Sequence, residues 1–339
     1  RFWPKSRAER PKQFIAVTSE KPMTVQTAER LRQVTGKDNA IIVSGLAHKE
    51  LLEGLFPQAY RDGRILLEPQ GRDTAGCIVL ASACAAAESN DAVLGFFPAD
   101  HVITDMDPFK DAINRAVEGA SAGRLVTIGI EPTEPLSSYG YIQRAKALSG
   151  GLYDVGRFTE KPDRKQAEAF LNEGGYYWNS GMFFWTVTAF EEELARHMPE
   201  HFVVYNKLKE GFAKSLGMNE EAFLSLPKVS IDYGLMEKTD KAAMTPGSFT
   251  WDDVGTWKAV GNYLPDVGGN RIGGNGLVID GTGNIVVDER PGALTALIGV
   301  SDLIVISVGD AVLVCPKDRS DDVKALVKAV KEEGWGGLL

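Results

Sequence analysis

With 339 residues, 44% of them hydrophobic and 24% charged, the chain has an ordinary globular composition and enough length for one large core beside a smaller appendage. A formal net charge of −9 argues against a nucleic-acid surface, which needs a basic face, and no run of about 18 apolar residues marks a membrane span. Cys77, Cys84 and Cys315 are odd in number and lack Cys-x-x-Cys spacing, which speaks against a disulfide framework or a zinc site; with no recognisable secretory leader, the expected compartment is the cytoplasm.

The chain opens on a basic cluster, Arg1, Lys5, Arg7, Arg10 and Lys12. Helical period follows at 24–35, 74–88 and 108–122, alternating with short apolar runs at 40–44, 64–67, 92–98 and 125–130. Strands alternating with helices of this length predict crossover units and a mostly parallel sheet. The Ala-rich helix from Thr74 places Cys77 and Cys84 on one face, as core. Strands at 141–144 and 156–159 flank a Ser149–Gly151 turn. A short helix at 165–172 and an aromatic strand at 177–185 come next, then a helical stretch over 189–226 interrupted near Pro199 and Gly217. From Gly268 short strands at 277–280, 285–288, 295–299, 303–307 and 311–315 are punctuated by Gly-rich turns, which predicts a small β unit closed by an amphipathic helix over 320–333.

Within this frame Asp100 stands out, ending the apolar run Val93-Leu94-Gly95-Phe96-Phe97-Pro98-Ala99. A carboxylate at the carboxyl end of a buried parallel strand faces the ligand crevice of an open α/β sheet, where it can hold a metal; it serves equally as a cap for the next turn or helix. Asp105 and Asp107 have Asp-x-Asp spacing but sit ahead of Pro108 as helix caps. His197 and His201, four apart without a third ligand nearby, read as a surface helix.

Four segments in order, Arg1-Phe2-Trp3-Pro4-Lys5 running to Lys12, Phe97-Pro98-Ala99-Asp100-His101, Phe158-Thr159-Glu160-Lys161-Pro162 with Trp178-Asn179-Ser180-Gly181, and Trp251-Asp252-Asp253-Val254-Gly255, resemble motifs of the sugar-nucleotide pyrophosphorylases, and of bacterial mannose-1-phosphate guanylyltransferases in particular. The resemblance implies a Rossmann-like α/β catalytic domain of the GT-A-like type over 1–267 and a small left-handed β-helix domain with a terminal helix over 268–339. The implied reaction joins GTP and α-D-mannose 1-phosphate into GDP-mannose and pyrophosphate by metal-assisted in-line transfer. Two anions meet in such a reaction, so alignment and neutralisation carry most of the catalysis.

By the same resemblance Arg1 and Lys12 contact the nucleotide phosphates, and Asp100 with Asp253 holds Mg2+, an ion that takes one or two carboxylates and leaves its other positions to phosphate and water. Asp253 rather than Asp252 matches the acidic position of the family motif. Gly140, Glu160, Lys161, Asn179 and Gly181 are the implied sugar-phosphate residues. Glu68, Pro69, Arg72, Asp73 and Thr74 resemble the guanine-reading segment, although Asp73 and Gly76 stand where the family has Asn and Pro. Asp73 is equally a base reader or the N-cap of the helix beginning near Thr74.

The family pattern also implies a first strand and a Gly-rich loop ahead of Arg1, both missing from these residues, so a protein of these 339 residues alone is expected to bind nucleoside triphosphate poorly. No cupin-like isomerase domain follows the β unit, which implies a single activity, and a homodimer is the expected assembly. The rival readings are a nucleotidyltransferase of the same fold with another sugar 1-phosphate or base, and a non-catalytic paralogue that binds nucleotide sugar.

Overall fold

Every residue of the strand Leu125–Ile130 is buried, and the sequence explains why: the run has no charge and is set between layers on both faces. In the computed structural model, which describes residues 1–36 and 40–339, it is third in a six-stranded sheet ordered Val93–Phe96, Tyr176–Thr186, Leu125–Ile130, Ala242–Gly247, Tyr153–Thr159 and Tyr141–Ala147. Side chains alternate across a strand, so Val126, Ile128 and Ile130 join one core with Phe109, Ala112 and Phe170. Leu125 joins the other core, with Val79, Phe190 and Tyr205. Helices Asp73–Glu88, Val187–His197 and Pro199–Ala213 cover one face, and Met106–Ser121 and Arg164–Glu173 the other. Both belong to one unit, Val34–Pro98 with Ile103–Trp251, which also holds a parallel pair, Ile42–Gly45 with Ile65–Glu68.

This is the expected Rossmann-like α/β architecture, with one correction: the six-stranded sheet is mixed. Its parallel pairing joins Leu125–Ile130 to Ala242–Gly247; the others in it are antiparallel. The apolar runs of the first half do not pair with one another there, because the eleven-residue strand Tyr176–Thr186 inserts between Val93–Phe96 and Leu125–Ile130. Asp100 accordingly does not end a buried parallel strand. Val93–Phe96 is an antiparallel edge strand with alternate residues exposed, and Asp100 lies four residues beyond it. The histidines are corrected too. Met198 and Pro199 break the helix between His197 and His201, so the two do not share a helix face, and His201 is buried with Nε2 3.2 Å from the Pro227 carbonyl.

The other unit comprises Arg1–Gln33, Ala99–Val102 and Asp252–Leu339. Strands Asn270–Gly274, Ile285–Asp288 and Leu303–Val308 stack in parallel register and Ala311–Pro316 closes the sheet antiparallel; Gly276–Ile279 and Thr295–Ile298 pair in parallel as a second sheet. Buried Asn284 ties successive turns of this β-helix, its Nδ2 donating to Asn270 Oδ1 and to the Val300 carbonyl, both at 2.9 Å. Ile285, Val287, Ile304 and Ile306 pack with Phe2, Trp3, Ile15, Trp257 and Val323 in one core. Trp257 meets the edge of Phe2 at 5.4 Å and donates to the Trp3 carbonyl at 3.0 Å. No helix among the described residues is long and apolar enough to cross a membrane.

Candidate functional site

In the unit that carries the amino-terminal segment, Lys12 begins a short 3-10 turn anchored by fully buried Phe14. Its ammonium donates to Asp100 Oδ2 at 2.8 Å and to the backbone carbonyl of Asp253. Burial alone would raise the Asp100 carboxyl, but the Lys12 ammonium, helped by His101 and Arg1, outweighs it and holds the group below its ordinary value. Arg30, buried, donates to the His101 carbonyl at 3.1 Å and so steadies the loop that carries Asp100.

Asp252 and Asp253 have different surroundings. Asp252 accepts from the Val254 N–H at 2.6 Å and from the Tyr263 hydroxyl at 3.0 Å. Asp253 lies beside Gly255, where an added Cβ would sit 3.2 Å from Arg1 Nη1 and 3.4 Å from Asp253 Oδ1. Between them buried Val254 has φ +43°, an uncommon conformation for a β-branched residue and one that recurs where function holds backbone strain. Arg1, Lys12, Asp100 and Asp253 are thus gathered together. Among the described residues no group of three or more His, Cys, Asp or Glu side chains is placed to hold a metal. Two carboxylates suit a hard divalent cation whose remaining ligands come from phosphate and water.

In the larger unit a second group forms around the strand Tyr176–Thr186. Asn179 pairs with Gly129 and Phe183 with Thr127, so the strand carries two extra residues there, a bulge in which Gly181 takes φ +70°. Asn179 Oδ1 accepts from Thr127 Oγ1 at 3.0 Å and from the Gly181 N–H at 3.1 Å, while its Nδ2 donates to Asp232 Oδ1 at 3.0 Å. Gly140 fits closely against this group: a Cβ there would collide with Glu160 Oε2 and crowd Asn179. Exposed Lys161, at φ +47°, donates to Glu160 Oε1 at 2.7 Å, which raises its own pKa. Gly140, Glu160, Lys161, Asn179 and Gly181 therefore lie together.

The segment after Ile65–Glu68 forms a third group. Glu68 Oε1 is buried with no hydrogen-bond partner, and burial pushes the carboxyl up to about 7. Pro69 comes next, half-buried, and Arg72 donates to the Leu224 carbonyl. Gly76 permits this arrangement, since a Cβ there would strike the Arg72 side chain. Asp73 is exposed at φ +62° and accepts from the adjacent Thr74 N–H at 2.8 Å; Arg72 stands at the N-cap position, so Asp73 is not the N-cap. Thr74 Oγ1 accepts from the Ile231 N–H at 2.9 Å. Asp105 occupies the N-cap of Met106–Ser121, but its carboxylate takes the Thr250 N–H at 2.7 Å instead of capping.

Thr127, Asp232, Tyr233 and Glu237 are not among the residues expected from sequence. Their contacts to Asn179 and Glu160 span 52 to 77 residues of sequence, and the one local signal is an acidic residue set among apolar Ile231, Leu235 and Met236.

Residues 1–267 match the family model for nucleotidyl transferase, and residues 274–330 match the MannoseP isomerase/GMP-like beta-helix domain. A putative mannose-1-phosphate guanylyltransferase of Vibrio cholerae serotype O1 is 36% identical, over 98% of this chain and 72% of its own length. The mannose-1-phosphate guanylyltransferase of Klebsiella pneumoniae is 37% identical over the same shares. The alginate biosynthesis protein AlgA of Pseudomonas aeruginosa is 37% identical, over 98% of this chain and 70% of its length. Among solved structures, one named mannose-1-phosphate geranyltransferase from Thermus thermophilus superposes with a TM-score of 0.87 at 35% identity, covering 97% of this chain and 95% of its own.

Proposed function

We propose that this chain, which belongs to the nucleotidyl transferase family, is a mannose-1-phosphate guanylyltransferase that converts GTP and α-D-mannose 1-phosphate into GDP-mannose and pyrophosphate. The observation that carries this reading is identity of 36–37% to relatives named for that activity, over 98% of the chain. A phosphate oxygen of the sugar phosphate attacks the α-phosphorus of the triphosphate, a new P–O bond forms, and the bond to the β-phosphate oxygen breaks to release pyrophosphate.

Arg1 and Lys12 serve as cations for the triphosphate; Arg offers a forked contact and Lys a mobile point charge. Asp100 and Asp253 would hold a divalent cation, which we take to be magnesium, and the ion would supply charge neutralisation to the phosphates. On this reading Lys12 prepares the acid pair by keeping Asp100 ionised. Glu68, Pro69, Arg72, Asp73 and Thr74 form the guanine-reading segment; the exposed Asp73 carboxylate supports it, because a carboxylate accepts from both N1–H and the N2 amino group of guanine. Glu160 and Asn179 serve the sugar hydroxyls and Lys161 its phosphate, with Gly140 and Gly181 shaping the approach. Residues 1–267 act as the catalytic domain and 268–339 as the β-helix domain. A homodimer in the cytoplasm is the setting we propose, the latter in keeping with three free cysteines.

Pyrophosphate release by the full-length protein tests the reading. Turnover is expected with GTP, magnesium and mannose 1-phosphate, at a kcat/KM at least about tenfold above that with ATP or with glucose 1-phosphate. Equal rates on all pairs would remove the assigned specificity.

A further inference from the structure

One short segment, from Val229 to Glu237, reaches both ligand-facing groups of the larger unit. Its Val229 carbonyl accepts from the Ala75 N–H at 3.3 Å, and its Ile231 N–H donates to Thr74 Oγ1, so it is tied to the start of helix Asp73–Glu88. Glu237 Oε1 accepts from the Glu160 N–H at 3.0 Å, and the Tyr233 hydroxyl donates to the Glu160 carbonyl at 3.4 Å. At its centre the five-residue π-helical turn Asp232–Met236 presents Asp232, buried, to Asn179. π-Helical turns are rare and concentrate at functional sites.

A side-chain amide in a site has two faces, one donating and one accepting, and either end fits the same space. Three contacts decide the orientation of Asn179. Its oxygen is taken by Thr127 Oγ1 and the Gly181 N–H, and its nitrogen donates one hydrogen to Asp232. The nitrogen keeps a second hydrogen, and it lies 3.6 Å from where a Cβ on Gly140 would be, on the side where Glu160 Oε2 also crowds that position. Donor and acceptor thus pack side by side against Gly140, the spacing that a vicinal pair of sugar hydroxyls requires.

We infer that Asp232 is a positioning residue for the sugar-phosphate pocket: by accepting from Asn179 Nδ2 it completes, with Thr127 Oγ1 and the Gly181 N–H, the set of contacts that holds that amide toward the sugar, beside the Glu160 carboxylate. This rests on the proposed function and assigns a role within it. Burial, then the neighbouring Glu160 carboxylate, push the Asp232 carboxyl up to about 7, the state of an acid held in place at a cost; Lys161 partly offsets this. Salt-bridge partners that would make Asp232 an ordinary structural anion are absent among the described residues, where its side-chain hydrogen bond is to Asn179.

The test is steady-state turnover of the full-length protein with GTP and mannose 1-phosphate, joined to calorimetric binding of mannose 1-phosphate. Asp232→Ala is expected to raise KM and Kd for mannose 1-phosphate about tenfold while KM for GTP stays within about twofold. Asp232→Asn, which keeps an acceptor for Asn179 Nδ2 but removes the charge, is expected to show a smaller rise of about threefold. Asn179→Ala should match Asp232→Ala, and the double variant should be no worse than either single, because the two residues act as a unit. Asp232→Ser serves as the second truncation where the alanine variant does not fold. Equal rises in both KM values, no change in either, or losses that multiply in the double variant would overturn the inference. Absence of wild-type turnover on this substrate pair would instead overturn the functional reading, and the inference with it.

Discussion

Asp252 and Asp253 are adjacent in sequence and differ in their surroundings. Both oxygens of Asp252 are engaged inside the fold, by Val254 and Tyr263, whereas the Asp253 carboxylate lies beside Arg1. Asp252→Ala therefore leaves two donors without their acceptor and should destabilise the protein by about 1–3 kcal/mol. Asp253→Asn should leave the melting temperature within a few degrees and lower turnover at least about a hundredfold, if it holds the cation as proposed. Thermal melts and pyrophosphate release on the two variants separate these outcomes, and the reverse pattern would reassign the motif. Glu68 carries a different signature. Its folded carboxyl keeps a proton up to about 7 whereas an unfolded glutamate releases it near 4.5, so its contribution to stability is greatest below 4.5 and falls as pH rises to 7. Glu68→Gln should thus gain on the wild type in melting temperature between about pH 5 and pH 8; an unchanged difference would show that Glu68 ionises normally.

At the level of elements, the bulge in Tyr176–Thr186 decides where Asn179 stands. Gly181→Ala places a Cβ on a left-handed backbone, a cost of about 1 kcal/mol, and strains the N–H that holds Asn179 Oδ1. The expected result is a higher KM for mannose 1-phosphate with GTP little affected, read from the same kinetics. The bulge also shows what periodicity can and cannot reveal. The strand itself is legible, since the stretch from Tyr177 to Trp185 is rich in aromatic residues, and the Asn-Ser-Gly within it marks a ligand segment by its resemblance to a family motif. Which strands flank it is not legible, because hydrophobic period reports burial and says nothing of the partner. The same limit explains the mixed sheet. Leu125–Ile130 reads as a buried strand from its own residues, but its neighbours come from about 50 and about 117 residues further on. Asp232 is hidden in the sequence for the reason that makes it functional: its partners are distant, and an isolated acid in an apolar stretch has no motif. Asp100, Lys12 and Asp253 are legible through short motifs in a fixed order; Asp105 stands at the N-cap read for it, with its carboxylate drawn to the Thr250 N–H, while Asp73 leaves the cap to Arg72 by a positive φ that composition does not encode.

Across the whole molecule, buried titrating groups pull in opposite directions with pH. Glu68 and Asp232, both raised to about 7, lose stability contribution as pH climbs from about 4 to 7. His101, pushed down to about 4 by burial, and His201, lowered by the same cause, act conversely: an unfolded histidine takes up a proton below about 6.5 that the folded one refuses, so stability grows as pH rises through that window. The acids and the histidines thus oppose each other in sign between about pH 4.5 and 6.5, and thermal melts of variants that remove one kind alone are expected to shift the slope of the wild-type profile in opposite directions. The shared core around Trp257 bears on a different matter, the ancestry of the chain. Phe2, Trp3 and Ile15 pack with Ile285, Val287 and Ile304, and Lys5 and Arg7 pair with Glu289 and Asp310, so the first residues of the nucleotidyl transferase segment and the β-helix segment have complementary surfaces. Recombination at the junction between the two matched segments, 1–267 and 274–330, would separate matched halves of that core. A hybrid that took its β-helix from a distant relative would have to import that relative's counterpart of residues 2–15 as well, which makes these two stretches a pair expected to be inherited together.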